Sequence, residues 1–201
     1  MAARSRSLLR DLVSILAASV VVLVARASFA DHYVVPTGSM EPTVLVGDQI
    51  CVNKAAYGIR IPGSHAFVVD GTGPARGDVV VLTSPADGEV LLKRVVATPG
   101  DVVEVSAGRV SIDGAEAPVR DQPDGGAVET LGTHEHWLAA GYGDGPDFGP
   151  TVVPPESYLV LGDNRGNSLD GRFFGWVPRS AILGRAVAVC LRGSRPVWNP
   201  L

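Results

Sequence analysis

Ser39 and Lys93 are the residues of this chain whose types and settings best suit nucleophilic chemistry. Ser39 stands in Pro36-Thr37-Gly38-Ser39-Met40-Glu41-Pro42-Thr43. Gly38 permits a tight turn and a close approach of backbone to a substrate, and Pro36 and Pro42 limit the freedom of that turn. Such a turn exposes a hydroxyl and offers the Ser39 amide to a developing oxyanion, with the Thr37 hydroxyl as a second donor. The bland alternative for this segment alone is an ordinary Ser/Thr turn. Of the 17 lysines and arginines, only Lys54 and Lys93 are lysines. Arginine stays protonated and cannot act as a base, whereas a desolvated lysine can.

Lys93 lies in Glu89-Val90-Leu91-Leu92-Lys93-Arg94-Val95-Val96-Ala97. On a strand it shares a face with Leu91 and Val95. An ammonium among aliphatic side chains loses hydration, which disfavours its charged form and lowers its pKa. The neutral amine then takes the proton of a serine hydroxyl. A lysine snorkelling at a strand edge is the competing reading. Lys54, between Asn53 and Ala55, has a weaker apolar frame. A third segment, Gly162-Asp163-Asn164-Arg165-Gly166-Asn167-Ser168-Leu169-Asp170-Gly171-Arg172, has the composition of a loop that bonds to itself. There an Asp170–Arg172 pair fixes the loop and Ser168 accepts from Lys93, unless the segment is a solvated turn.

These residues must be positioned by strands and turns. Glycine and proline are abundant and aromatics few, which favours a strand-and-turn protein over a helical bundle. The expected strands are 48–53, 78–82, 89–97, 102–105, 109–112, 158–161 and 185–191, with Tyr33-Val34-Val35 also extended and a short helical turn at 178–182. Gly77-Asp78, Gly100-Asp101 and Asp113-Gly114 supply turns between them. Residues 115–150 are rich in Gly, Asp and Pro and are expected to form a small insert or flexible flap. At 201 residues the chain allows one extracytoplasmic domain, 31–201, with that insert inside it.

The first thirty residues read as an export segment. Arg4, Arg6 and Arg10 precede an uncharged run from Leu12 to Ala25. Counted from Leu8 to Ala30, the apolar stretch reaches the ~20 residues that a bilayer span needs. Its arginine-rich end stays cytoplasmic and everything after residue 30 lies outside. A cleavable signal peptide ending at Ala27 or Ala30 is the rival reading. Ser39 follows Ala30 so closely that an uncleaved anchor would hold it near the bilayer surface, and the anchor is therefore preferred.

Other classes of function fit poorly. A formal net charge of -4 provides no basic footprint for nucleic acid. Cys51 and Cys190 match no zinc or CxxC spacing, and bridged and unpaired cysteines remain open alternatives. A Ser-His-Asp triad lacks a histidine with a recognisable acid partner, since His32 and His65 lie in irregular segments and His134 and His136 in the insert. His134-Glu135-His136 reads as a polar loop and not a metal site, so neither metal nor cofactor is expected.

The three segments together resemble the type I signal peptidases, membrane-anchored serine peptidases that remove signal peptides from exported proteins. Gly47-Asp48-Gln49-Ile50, Asn53-Lys54 before Tyr57-Gly58, Gly77 to Val81, Lys93 to Val96 leading to Pro99-Gly100-Asp101, and Phe174 to Pro178 extend the resemblance in the family's order. The resemblance implies a mostly antiparallel β fold with a single N-terminal transmembrane helix and an apolar surface near the membrane. It implies Ser39 as nucleophile, Lys93 as base and Ser168 as the hydroxyl that orients the lysine. Gly162 would allow close backbone passage, Asp170 and Arg172 would form the supporting pair, and the Ser39 amide and Thr37 hydroxyl would form the oxyanion hole. Tyr33, Val35, Pro36, Met40, Leu91 and Leu92 would bind the substrate backbone in shallow pockets, with cleavage after Ala-x-Ala. The implied partners are preprotein signal peptides and membrane lipid, with the enzyme a monomer. Thr37 stands where serine is common, and Gly166 and Gly171 where Asp and Ser are frequent. An inert anchored β module is the alternative from another class, and a cytosolic self-cleaving Ser-Lys repressor disagrees with the export segment.

Overall fold

A computed structural model describes residues 14–16, 30–60, 67–123, 125–139 and 143–201. In chain order its strands are β1 (Ala30–Val34), β2 (Gln49–Asn53), β3 (Gly58–Arg60), β4 (Phe67–Asp70), β5 (Val79–Thr83) and β6 (Val90–Ala97). There follow β7 (Val102–Ser106), β8 (Arg109–Ile112), β9 (Ala115–Glu116), β10 (Val119–Asp121), β11 (Ala127–Leu131) and β12 (His134–Leu138). The chain ends with β13 (Phe148–Val152), β14 (Ser157–Leu161), β15 (Val177–Pro178), β16 (Ile182–Arg192) and β17 (Arg195–Pro200). After residue 30, one short helix, α1 (Gly171–Phe174), and three 3-10 turns complete the described residues.

Every strand pairing among the described residues is antiparallel, so the mainly β expectation holds. The largest sheet runs β1-β2-β16-β5-β6-β14-β15, with β17 added on β16. Val79 to Leu82 on β5 are all buried because this strand is central and covered on both faces, which is why its sequence is a continuous apolar run. β7 instead alternates, with Val103 and Val105 inward and its other positions exposed, the period of a half-covered strand. Side chains such as Val80, Leu82, Leu159 and Leu161 reach 0 % exposure, each burial being worth about 1.5–3 kcal/mol.

Turn chemistry follows the sequence reading. At Gly100-Asp101, Gly100 takes φ +92°, and the Asp101 carboxylate accepts the Thr98 amide at 2.7 Å and both arms of Arg76. The 3-10 turn Arg179–Ala181 falls where a helical turn was expected. Cys51 on β2 and Cys190 on β16 form a disulfide with a Cα separation of 5.9 Å, which resolves the alternative left open by sequence.

Residues 115–150 form a three-stranded sheet, β10-β11-β12, and supply β9 and β13 to the four-stranded sheet β13-β7-β8-β9. Their strands went unrecognised because Val128, Leu131 and Leu138 are the few apolar anchors in a polar segment. The expected N-terminal transmembrane helix falls on residues outside those described, apart from a fragment of helix at 14–16. Among the described residues no helix is long and apolar enough to cross a membrane.

Candidate active site

Two open strand edges create the site. β14 pairs with β6 only from Arg94 onward, so the first half of β6 is bonded to β5 alone. β1 is an edge strand bonded only to β2. Tyr33 to Thr37, at the end of β1 and just beyond it, and Glu89 to Lys93, on and before β6, line one cleft of about 170 Å³ with Ser39, Met40, Ile50 and Val81. Unpaired edges present free N–H and C=O groups, the requirement for receiving an extended peptide as an added strand. All the expected substrate-binding residues, Tyr33, Val35, Pro36, Met40, Leu91 and Leu92, line this cleft.

Ser39 and Lys93 meet at its floor. The amine lies 2.6 Å from the Ser39 hydroxyl oxygen, and Lys93 is 2 % and Ser39 8 % exposed. Burial pushes the Lys93 ammonium down from 10.5 to about 8, against the opposing pull of Asp170 and Asp163. Ser39 belongs to a 3-10 turn, Gly38–Met40, preceded by Thr37 in extended conformation. The leading N–H groups of such a turn have no partner inside it, so they are free to face an anion. Thr37 is exposed at this point.

The Gly162–Arg172 loop holds this turn from behind. Asn164 donates its backbone N–H to the Ser39 carbonyl at 3.1 Å and its side-chain amide to the Gly38 carbonyl at 3.2 Å. Thr43 donates its hydroxyl to Asp163 at 2.6 Å. Asp163 also receives both arms of Arg94, at 2.8 and 2.7 Å. Burial acts to raise the Asp163 carboxyl, but Arg94, His136 and Thr43 together hold it below the usual carboxylate range. Asp170 accepts Arg172 Nε and an outer guanidinium nitrogen, each at 2.9 Å, and the Gly162 amide at 3.1 Å. The same carboxylate caps α1 through the Arg172 backbone N–H. Gly162 has no room for a side chain, because a Cβ would collide with the Ser168 hydroxyl and the Ser39 carbonyl.

The structure therefore brings together Ser39, Lys93, Gly162, Ser168, Asp170 and Arg172. The Ser168 hydroxyl is buried, but among the described residues it has no hydrogen-bond partner, and the bond from Lys93 to Ser168 is not made. Sequence reasoning assigned no role to Asn164, Asp163 or Arg94, although each stands in a segment already singled out. Their signal was a high density of charge beside apolar strand residues. Glu129 was missed altogether and His136 was read as part of a polar loop, because nothing in a Gly-rich stretch marks a polar residue as buried. No group of metal-binding side chains occurs among the described residues.

An antiparallel β protein with a hydroxyl and a low-pKa amine in contact at the floor of a strand-lined cleft has the makings of a peptide-cleaving serine hydrolase. Residues 8–191 match the family model "Signal peptidase, peptidase S26". The chain is 39% identical to signal peptidase I of Pseudomonas fluorescens, covering 90% of this chain and 72% of that protein. It is 35% identical to signal peptidase I of Leptolyngbya laminosa, covering 84% and 72%. A crystal structure of a signal peptidase I from Enterococcus faecalis is 27% identical with a TM-score of 0.39, covering 56% of this chain and 95% of that one. The chain belongs to the signal peptidase family, S26, and is a serine peptidase.

Proposed function

We propose that this peptidase removes signal peptides from exported preproteins after an Ala-x-Ala-like site, with Ser39 as nucleophile and Lys93 as general base. The observation that carries the reading is the 2.6 Å contact between the Ser39 hydroxyl and a Lys93 amine that is 2 % exposed. The neutral amine takes the Ser39 proton as the oxygen attacks the scissile carbonyl. The oxyanion is received by the Ser39 N–H, with the Thr37 hydroxyl as the second donor. The Lys93 ammonium then protonates the leaving amine, an acyl-enzyme forms, and the amine next deprotonates the water that hydrolyses it. Ser168, packed against Gly162, limits where the lysine side chain can go.

The substrate chain lies as a strand between the Tyr33–Pro36 and Leu91–Lys93 edges. Met40, Ile50, Val81 and Leu92 leave shallow apolar space that suits small side chains. Residues 1–30 anchor the enzyme as a single-pass protein of the cell membrane, N-terminus cytoplasmic, catalytic domain 31–201 outside, acting as a monomer against lipid. Exposed Val34 and Val90 at the cleft fit an apolar, lipid-facing rim. The alternative, an inert β module, does not account for a buried lysine paired to a hydroxyl.

The test is cleavage of a synthetic preprotein by the full chain in detergent. Ser39→Ala and Lys93→Arg should each abolish product while circular dichroism stays that of the wild type. Activity retained in Lys93→Arg would remove the lysine as base, because arginine cannot give up its proton. N-terminal sequencing addresses the anchor, and a mature start at Ser28 or Asp31 would refute it.

A further inference from the structure

Glu129, on β11 of the insert, is 0 % exposed, and His136, on β12 beside it, is 5 % exposed. A carboxylate is carried so deep only when it is paired. Its partner is Arg165 of the Gly162–Arg172 loop, which meets both carboxylate oxygens. Burial works to raise the Glu129 carboxyl, but Arg165 and His136 hold it below the usual range.

Arg165 uses its remaining donors on backbone. Its Nε donates to the Gly162 carbonyl at 3.1 Å, and another arm reaches the Gly108 carbonyl in the turn between β7 and β8. The Arg165 carbonyl in turn accepts from Arg172. The His136 ring lies toward the same loop, with Nε2 3.2 Å from Glu129 and 3.9 Å from Asp163, and it makes a hydrogen bond to neither. The charged groups facing this cluster are thus Glu129, Asp163, Arg94 and Arg165. Those acting on Lys93 are Asp163 and Asp170.

We infer that Glu129 and Arg165 are positioning residues: the insert clamps the start of the catalytic loop, so that Gly162 stays pressed against Ser39 and Ser168 and water stays out of the Lys93 site. The inference rests on the dyad reading above, and it gives residues 115–150 a role in catalysis without contact with substrate. Burial of the amine is what lowers its pKa, and the loop holds the Ser39 turn that the amine meets. A loosened clamp hydrates the amine and moves it back toward an ordinary lysine.

The chain offers a direct probe, since it has only two lysines. Full-length protein in detergent micelles, labelled with 13C at lysine Cε, gives two titration curves, and Lys54→Arg assigns them. Glu129→Gln keeps the shape and removes the charge, while Arg165→Lys keeps the charge and removes the fork. Either variant should raise the Lys93 midpoint by about one pH unit. At pH 7.5 such a rise lowers the neutral fraction, and with it kcat, about eightfold, with KM within about twofold and the loss recovered above about pH 10. A Lys93 midpoint unchanged in both variants, whatever happens to their melting temperatures, overturns the inference and leaves the pair as packing. A shifted midpoint in a protein whose wild type cuts no preprotein supports the clamp while removing the proposed activity.

Discussion

Replacing Lys93 by methionine should make this enzyme more stable at neutral pH while destroying its activity. The amine is pushed from 10.5 to about 8 by burial, so the folded state favours the neutral form. Below pH 8 both folded and unfolded chains carry the proton, and the folded chain bears the full cost of a desolvated ammonium. Between about 8 and 10.5 the unfolded chain binds the proton and the folded chain does not, so stability rises with pH across that window. A shift of this size corresponds to about 3 kcal/mol. Methionine of similar volume removes that cost but also the bond to Ser39, worth about 1 kcal/mol. Lys93→Met should therefore be about 2 kcal/mol more stable than wild type at pH 6–7. Above pH 10.5 the lysine costs nothing and still bonds Ser39, so the variant should be about 1 kcal/mol less stable. Urea unfolding of both proteins between pH 6 and 11 measures the difference, in which all other titrating groups cancel. A difference that stays constant with pH would show that Lys93 keeps an ordinary pKa and would refute the reasoning.

Three further outcomes follow from the same geometry. Preprotein cleavage should rise as pH passes through about 8, where the Lys93 amine becomes neutral; a flat pH–rate profile from 6 to 10 contradicts this. Gly162→Ala forces a methyl into the Ser168 hydroxyl and the Ser39 carbonyl, which should cost about 1–3 kcal/mol in unfolding free energy and most of kcat. Replacing Cys51 and Cys190 by alanine opens a link across 139 residues and should lower stability by about 3–5 kcal/mol, read as a fall in urea midpoint. Cleavage per folded molecule should be unchanged in that variant, since the bridge lies outside the cleft.

The central strands were legible because their chemistry is local. Val79 to Leu82 and, apart from Lys93-Arg94, Val90 to Ala97 are apolar runs between turn residues, and the structure begins or ends them within a residue of the expected bounds. The Ser39–Lys93 pairing was inferable from residue type, since lysine is scarce in an arginine-rich chain. What periodicity does not encode is which charges go inside. Asp163 and Glu129 look like ordinary polar loop residues in sequence, yet they are buried because partners distant in sequence neutralise them: Arg94 lies 69 residues from Asp163 and Arg165 lies 36 from Glu129. Short strands such as β10, with two of three residues exposed, bury too little apolar surface to leave a pattern.

The distribution of buried cations is what the proposed Ser39–Lys93 chemistry requires. Arg94, Arg165 and Arg172 each meet a carboxylate, on Asp163, Glu129 and Asp170 respectively. Among the described residues no carboxylate lies within ion-pair distance of Lys93, whose bonded partner is the Ser39 hydroxyl. A carboxylate in contact would stabilise the ammonium and cancel the effect of burial. Placing arginine wherever a permanent charge is neutralised, and lysine at the one position left with a hydroxyl, separates structural charge from chemistry. Asp163 and Asp170 stand near the amine without contacting it, each already bonded to a guanidinium, and they only partly offset the lowering by burial. On the proposed mechanism, the three ion pairs keep these carboxylates out of contact with Lys93, so that a lone amine among carboxylates stays available as a base.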